Sequence, residues 1–203
     1  VTTHVSAPPR RGRPRDERID DQLADVALDL LAEGGFERFS VETVAQRVGV
    51  AKTTVYRRFA SRHDLLVGAL ECLAKETPAA PPPGPLRERL VSFLAPIRHR
   101  RPDSRYRRVL MHAATEGAAH PELAGLVEGL VLAPRRQALR DVLSDGMAAG
   151  ELPNDLDLDV ALAVLVGPML YLGSWGSSPR MARVTVEQVV DTVLSGLTRA
   201  TGS

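Results

Sequence analysis

The stretch KTTVYRR, Lys52 to Arg58, concentrates hydrogen-bond donors on what reads as one short helix. Val55 is the residue suited to face inward, which leaves Lys52, Thr53, Thr54, Tyr56, Arg57 and Arg58 for the outer side. Ammonium and guanidinium groups suit phosphate oxygens, and guanidiniums and hydroxyls also reach base edges in a major groove. Upstream, RGRPR sets Arg11, Arg13 and Arg15 around Gly12 and Pro14, in a stretch with no apolar periodicity. A slim Gly and an extended Pro let arginines enter a narrow A·T-rich minor groove. The plainer alternative is a tail that adds only diffuse charge. No Ser-His-Asp order, glycine-rich phosphate loop, HExxH or paired carboxylates stands out, so neither catalysis, a cofactor nor a metal site is expected.

Bulk properties agree with a protein whose charge is segregated rather than abundant. Formal net charge is +1 over 203 residues, yet Val44 to His63 holds five Lys or Arg and no acidic residue. Any attraction to nucleic acid therefore depends on where the charges sit. The single Cys72 excludes an internal disulfide and a multi-cysteine zinc site. The first residues lack the apolar core of a secretory signal, and the apolar run from Val160 is broken by Gly167 and Pro168 before it could span a bilayer. The expected location is the cytoplasm.

The elements that must position the basic stretch are helices throughout. Residues 1–15 read as a disordered basic arm. From Asp16, the residues Ile19, Leu23, Val26, Ala27, Leu30 and Leu31 mark one helical face that Gly34-Gly35 should end. Ser40 stands where an N-cap belongs, ahead of Val41, Val44, Ala45 and Val48, and Gly49 is the stop. A third helix is expected over 52–59, and Ser61 with Asp64 opens a fourth carrying Leu66, Ala69, Leu70 and Leu73. The Pro-rich stretch 77–85 reads as a linker. Beyond it, helices are expected near 86–100 (interrupted at Pro96), 104–118, 122–149 (kinked at Pro134), 157–175 and 185–200. The architecture is all-α: an N-terminal head over 16–76 and a helical body over 86–203.

Within the head, VETVAQRVGVAKTTVYRRF meets the demands of a helix-turn-helix. Ala45 is small where the helices cross, Gly49 supplies a positive-φ turn, and Val44, Val48, Val50 and Val55 clamp the pair. The longer stretch GGFERFSVETVAQRVGVAKTTVYRRFASRHDLL resembles the TetR family of bacterial regulators across about residues 16–76. That resemblance implies a three-helix DNA-binding head, a fourth helix joining it to an effector-binding body, and dimerisation through the last two helices. It places Lys52, Thr53, Thr54, Tyr56 and Arg58 where the family reads DNA, and Ser40 and Arg62 where it grips phosphates. The implied function is a homodimeric repressor released from a palindromic operator by a small molecule, with a ligand-independent activator or architectural protein as the alternative. Glu42 departs from a purely basic surface; it either supports its own helix dipole or accepts from a cytosine amine.

Body residues carry weaker signals. Met111, His112, Met169, Tyr171 and Trp175 are candidates for an apolar, lipophilic effector pocket, with core or interface packing as the competing explanation and an interface favoured for Tyr171 and Trp175. The basic cluster at 98–108 reads as a solvated loop, with contact to an anionic effector or more DNA as the alternative, and His112, Glu116 and His120 as an exposed polar face rather than metal ligands. Cys72 reads as core.

Overall fold

The computed structural model describes residues 17–76, 80–99, 103–175, 181 and 183–199, and among them there are helices and turns but no strand. The arginines Arg11, Arg13 and Arg15 lie outside the described residues.

Helix α1 (Glu17–Arg38) buries Leu23, Ala27, Leu28 and Leu31 completely. Its expected stop at Gly34-Gly35 is a kink instead: Gly35 has φ 68° and ψ −165°, and the chain resumes helical geometry as far as Arg38. Helix α2 (Val41–Val48) begins at Ser40, whose hydroxyl accepts from the Thr43 N–H. Helix α3 (Lys52–Tyr56) is short, but Phe59 N–H still donates to Val55 C=O at 2.9 Å, so the turn persists to the expected end. Helix α4 (Arg62–Lys75) starts on a reciprocal cap in which Ser61 Oγ accepts from the Asp64 N–H and donates to its carboxylate.

The body comprises α5 (Leu86–His99), α6 (Arg105–Glu116), α7 (Pro121–Val127), α8 (Ala133–Ala148), α9 (Leu158–Trp175) and α10 (Val186–Arg199). Pro96 does not interrupt its helix, contrary to expectation, and α9 runs through Pro168 as expected. Each proline forfeits one hydrogen bond, but its φ is compatible with a helix, and the adjoining Phe93, Leu94, Leu165 and Met169 are buried. Ahead of Pro134 the chain widens into a π-turn, Glu128–Leu132, with Ala133 N–H donating to Glu128 C=O. Helix α10 opens on Thr185 and Gln188, each side chain bonding the other's backbone N–H.

Two cores hold these helices. One gathers α1–α4 together with Val109 of α6, Leu123 and Val127 of α7, and Val131 of the π-turn. The other joins α5, α8, α9 and α10 around Leu90, Leu94, Leu139, Leu165, Met169 and Val190. Helices α6 and α7 thus follow the Pro-rich stretch in sequence but pack with the head.

Candidate nucleic-acid interface and its link to a body cavity

The α2–α3 corner is built by local chemistry. Gly49 adopts φ 79° and its N–H bonds Ala45 C=O at 3.0 Å, a left-handed cap that a Cβ would strain although no atom crowds the position. Val44 and Val55 are fully buried between the two helices. Phe59 closes the corner against Gly68 of α4, where a Cβ would come within 2.9 Å of its ring.

The face presented outward carries Lys52, Thr53, Tyr56 and Arg57, with Tyr56 43% exposed and Thr54 half-buried. Lys52 Nζ lies 5.5 Å from the Tyr56 ring centroid and pairs with Glu42. The Lys52 bond holds the Glu42 carboxyl below the usual carboxylate range and raises the lysine above its own. Glu42 therefore has a partner that sequence reading did not foresee. Ser40 Oγ also shares a 2.7 Å hydrogen bond with Thr43 Oγ1, so the N-terminus of α2 offers two hydroxyls, the second of them missed from sequence. Among the described residues, the Arg57 side chain has no ion pair or hydrogen bond.

Two expected DNA contacts point inward. Arg58 is ion-paired with Asp20 of α1 at 2.5 Å, its side chain only 10% exposed. Arg62 donates to Phe36 C=O at 2.9 Å and Phe39 C=O at 3.1 Å, and its guanidinium sits 3.9 Å from the Phe36 ring centroid. Just past the Gly35 kink, α1 ends at Arg38, so the carbonyls of buried Phe36 and Phe39 lack helical partners; Phe39 N–H meets the first at 3.3 Å, and Arg62 donates to both.

The same kink receives α6. Glu116 accepts from Phe36 N–H at 3.0 Å and is bonded by His112, while His120 lies against the Phe36 ring at 4.7 Å between centroids. Partial burial raises the Glu116 carboxyl's affinity for a proton, but the Phe36 N–H and His112 outweigh it and hold the group below its usual range. These three residues clasp the head; they are not the expected exposed face. Among the described residues no cluster suited to a metal ion occurs. At the other end of α6, Arg105 reaches Asp25 at 2.6 Å, Asp29 at 3.3 Å and Glu76 at 2.5 Å, so this part of the 98–108 cluster is a clamp rather than a solvated loop. Cys72 packs half-buried against the head core, where burial pushes its thiol up.

Helix α6 also walls a cavity of about 730 Å³ lined from α5, α6, α7, the π-turn, α8 and α9. Phe93, Leu110, Leu139, Leu162 and Val166 make its walls largely apolar. Of the expected pocket residues, Met111 and Met169 line it. His112 turns to Glu116 instead, and Tyr171 is 53% exposed on α9 and absent from the lining. Trp175 ends α9, and its side chain lies outside what is described. Sequence reading missed Tyr106, Arg107, Arg135, Arg136 and Arg140 on the wall.

An exposed polar helix seated by a glycine turn, joined to a helical body with an apolar cavity, defines a helix-turn-helix regulator. Residues 23–69 match the model for bacterial regulatory proteins of the tetR family, and residues 80–193 match that for the tetracyclin repressor-like C-terminal domain. The chain belongs to the TetR family and is a DNA-binding transcriptional regulator, not an enzyme. It is 28% identical over 162 residues to the uncharacterized HTH-type regulator YdeS of Bacillus subtilis, covering 80% of this chain and 81% of that one. It is 27% identical over 208 residues to the uncharacterized HTH-type regulator Rv1556 of Mycobacterium tuberculosis, covering 100% and 98%. The structure of the flavonoid-responsive regulator FrrA shares the fold, with a TM-score of 0.72 at 22% identity, over 91% of this chain and 97% of that one. Among the described residues no helix is long and apolar enough to cross a membrane.

Proposed function

We propose that the chain acts as a homodimeric repressor that leaves a palindromic operator when a small molecule fills the body cavity. One observation carries the reading: α6 is both a wall of the cavity and the element that Glu116 and Arg105 fasten to the head. A ligand that moves α6 changes the position of α1 and, through Arg62 and Phe36, the setting of α2 and α4. Two heads then no longer match half-sites spaced about one helical turn apart, ~34–36 Å or a multiple of it. Support for the dimer comes from α9, whose outer face exposes Val160, Val164 and Tyr171, a stripe suited to a second copy. In this reading Lys52, Thr53, Thr54, Tyr56 and Arg57 meet the major groove, Ser40 and Thr43 seat a phosphate at the start of α2, and Arg11, Arg13 and Arg15 enter the minor groove.

Selection of the full chain against a random duplex library near physiological salt tests it. Enrichment of one two-fold-symmetric site is the expected result; a flat library retained only by charge would overturn the operator reading. Removing residues 1–14 should weaken binding and shallow its salt dependence, and an unchanged affinity would sink the minor-groove assignment.

A further inference from the structure

The cavity's charges are unevenly matched. Four arginines line it, Arg107, Arg135, Arg136 and Arg140, against the carboxylates of Glu128 and Asp159. Those carboxylates are taken, since Arg136 pairs with Glu128 and Arg140 with Asp159. Arg107 is engaged as well. Arg135 differs: it donates to the neutral Tyr106 Oη at 3.2 Å, its guanidinium lies 5.4 Å from that ring, and no described carboxylate pairs with it. It sits half-buried on the wall, which Leu132 and Leu139 also line.

A guanidinium partly removed from water without a counter-charge is costly, and an apolar neutral ligand closing the cavity would increase that cost. A carboxylate would relieve it, because the planar fork of an arginine donates to both carboxylate oxygens at once. The remaining walls call for a tail, and Met111 and Met169 can shift to fit tails of differing shape. The volume is within the ~300–1,000 Å³ range of pockets that enclose a small organic molecule.

We propose that the cavity binds an amphipathic monocarboxylate, with the apolar tail among the helices and the head group on Arg135. This rests on the ligand-responsive reading above and specifies the chemistry of that same site. Calorimetric titration of the full chain with straight-chain carboxylates, octanoate to hexadecanoate, each paired with the alcohol of equal length, tests it. At the best-fitting length the acid should bind about 10- to 100-fold more tightly than the alcohol, the worth of a charged hydrogen bond. Arg135→Met should erase that preference, weakening the acid and relieving the cost the alcohol meets, and Arg135→Lys should keep part of it. No preference at any length, or one that survives in Arg135→Met, overturns the proposal; the acid–alcohol comparison on the unaltered chain stands even if a variant fails to fold. Operator binding measured alongside separates the two readings. Acid-selective binding that leaves DNA bound defeats release by ligand but not the head-group assignment, whereas release by acid and alcohol alike defeats the assignment alone.

Discussion

The recognition face and the cavity wall both carry arginines, and the two regions use them in opposite ways. In the head, Arg47 is held bidentately by Glu33, Arg58 by Asp20, and Arg62 by two backbone carbonyls, whereas Arg57, next after α3, is exposed and has no partner among the described residues. In the body, a wall of mostly apolar side chains keeps one guanidinium, Arg135, on a neutral phenol. An arginine's role is thus decided by the nearest acceptor in space. A basic run in sequence exaggerates the charge offered to DNA, and an isolated arginine on an amphipathic helix conceals a site.

The sharpest way to break the comparison is at the Gly35 kink, where the head meets α6. Gly35→Ala would put a Cβ 2.3 Å from Glu116 Oε1 at φ +68°, a conformation open in practice only to glycine. Backbone strain and loss of the Glu116–Phe36 bond together should cost about 3–5 kcal/mol in denaturant unfolding. A loss below about 1 kcal/mol would mean that α6 does not brace the kink. Next in size is a paired exchange. Arg62→Met should lower stability by about 2–3 kcal/mol, since two hydrogen bonds from a charged donor go with it, while the salt slope of DNA binding stays unchanged. Arg57→Met should leave stability within about 0.5 kcal/mol and lower the slope by about one phosphate. If the slopes change places, Arg62 is a phosphate contact and its inward bonds are incidental.

Those outcomes bear on what a sequence can disclose. The head was legible because its determinants are local: Ser40, Gly49, Ser61 and Asp64 act within a turn of where they stand, and the structure realises each of these caps. The cavity was not, because its wall is assembled from helices distant in the chain, and nothing near Tyr106 or Arg135 marks them as neighbours. His112 and Glu116 were misread for a related reason. Their spacing suggested a shared polar face, but the partner that makes it a clasp, Phe36, lies 80 residues from Glu116. Pro96 misled in the other direction, since a proline breaks a helix on propensity but not where packing supports the turn.

Acid should loosen the clasp selectively. Glu116 has a proton affinity below the ordinary carboxylate value of 4.5, so its contribution is complete above that value and is lost as pH falls through the lower, folded-state one. Stability followed as pH falls through and below 4.5 should decline more steeply in the unaltered chain than in Glu116→Gln. Parallel curves would place the acid sensitivity elsewhere in the molecule.

The smallest expected effect concerns the acidic residue on the basic face. Lys52 holds the Glu42 carboxyl below its usual range, and both groups are open to solvent. Lys52 must leave this pair to reach a phosphate, and the carboxylate it leaves behind then faces the duplex. Glu42→Gln removes both penalties, so operator affinity should rise about two- to fivefold at low salt and the gain should fade as salt screens the charge. A carboxylate that accepts from a cytosine amine would behave in the reverse manner: affinity would fall, and the preference for one base pair would relax while the others held. The salt dependence separates the cases, because a lost repulsion is screened whereas a lost base contact persists at every salt concentration. The Lys52–Glu42 pair favours the first outcome, since a lysine already in place satisfies the carboxylate without any base.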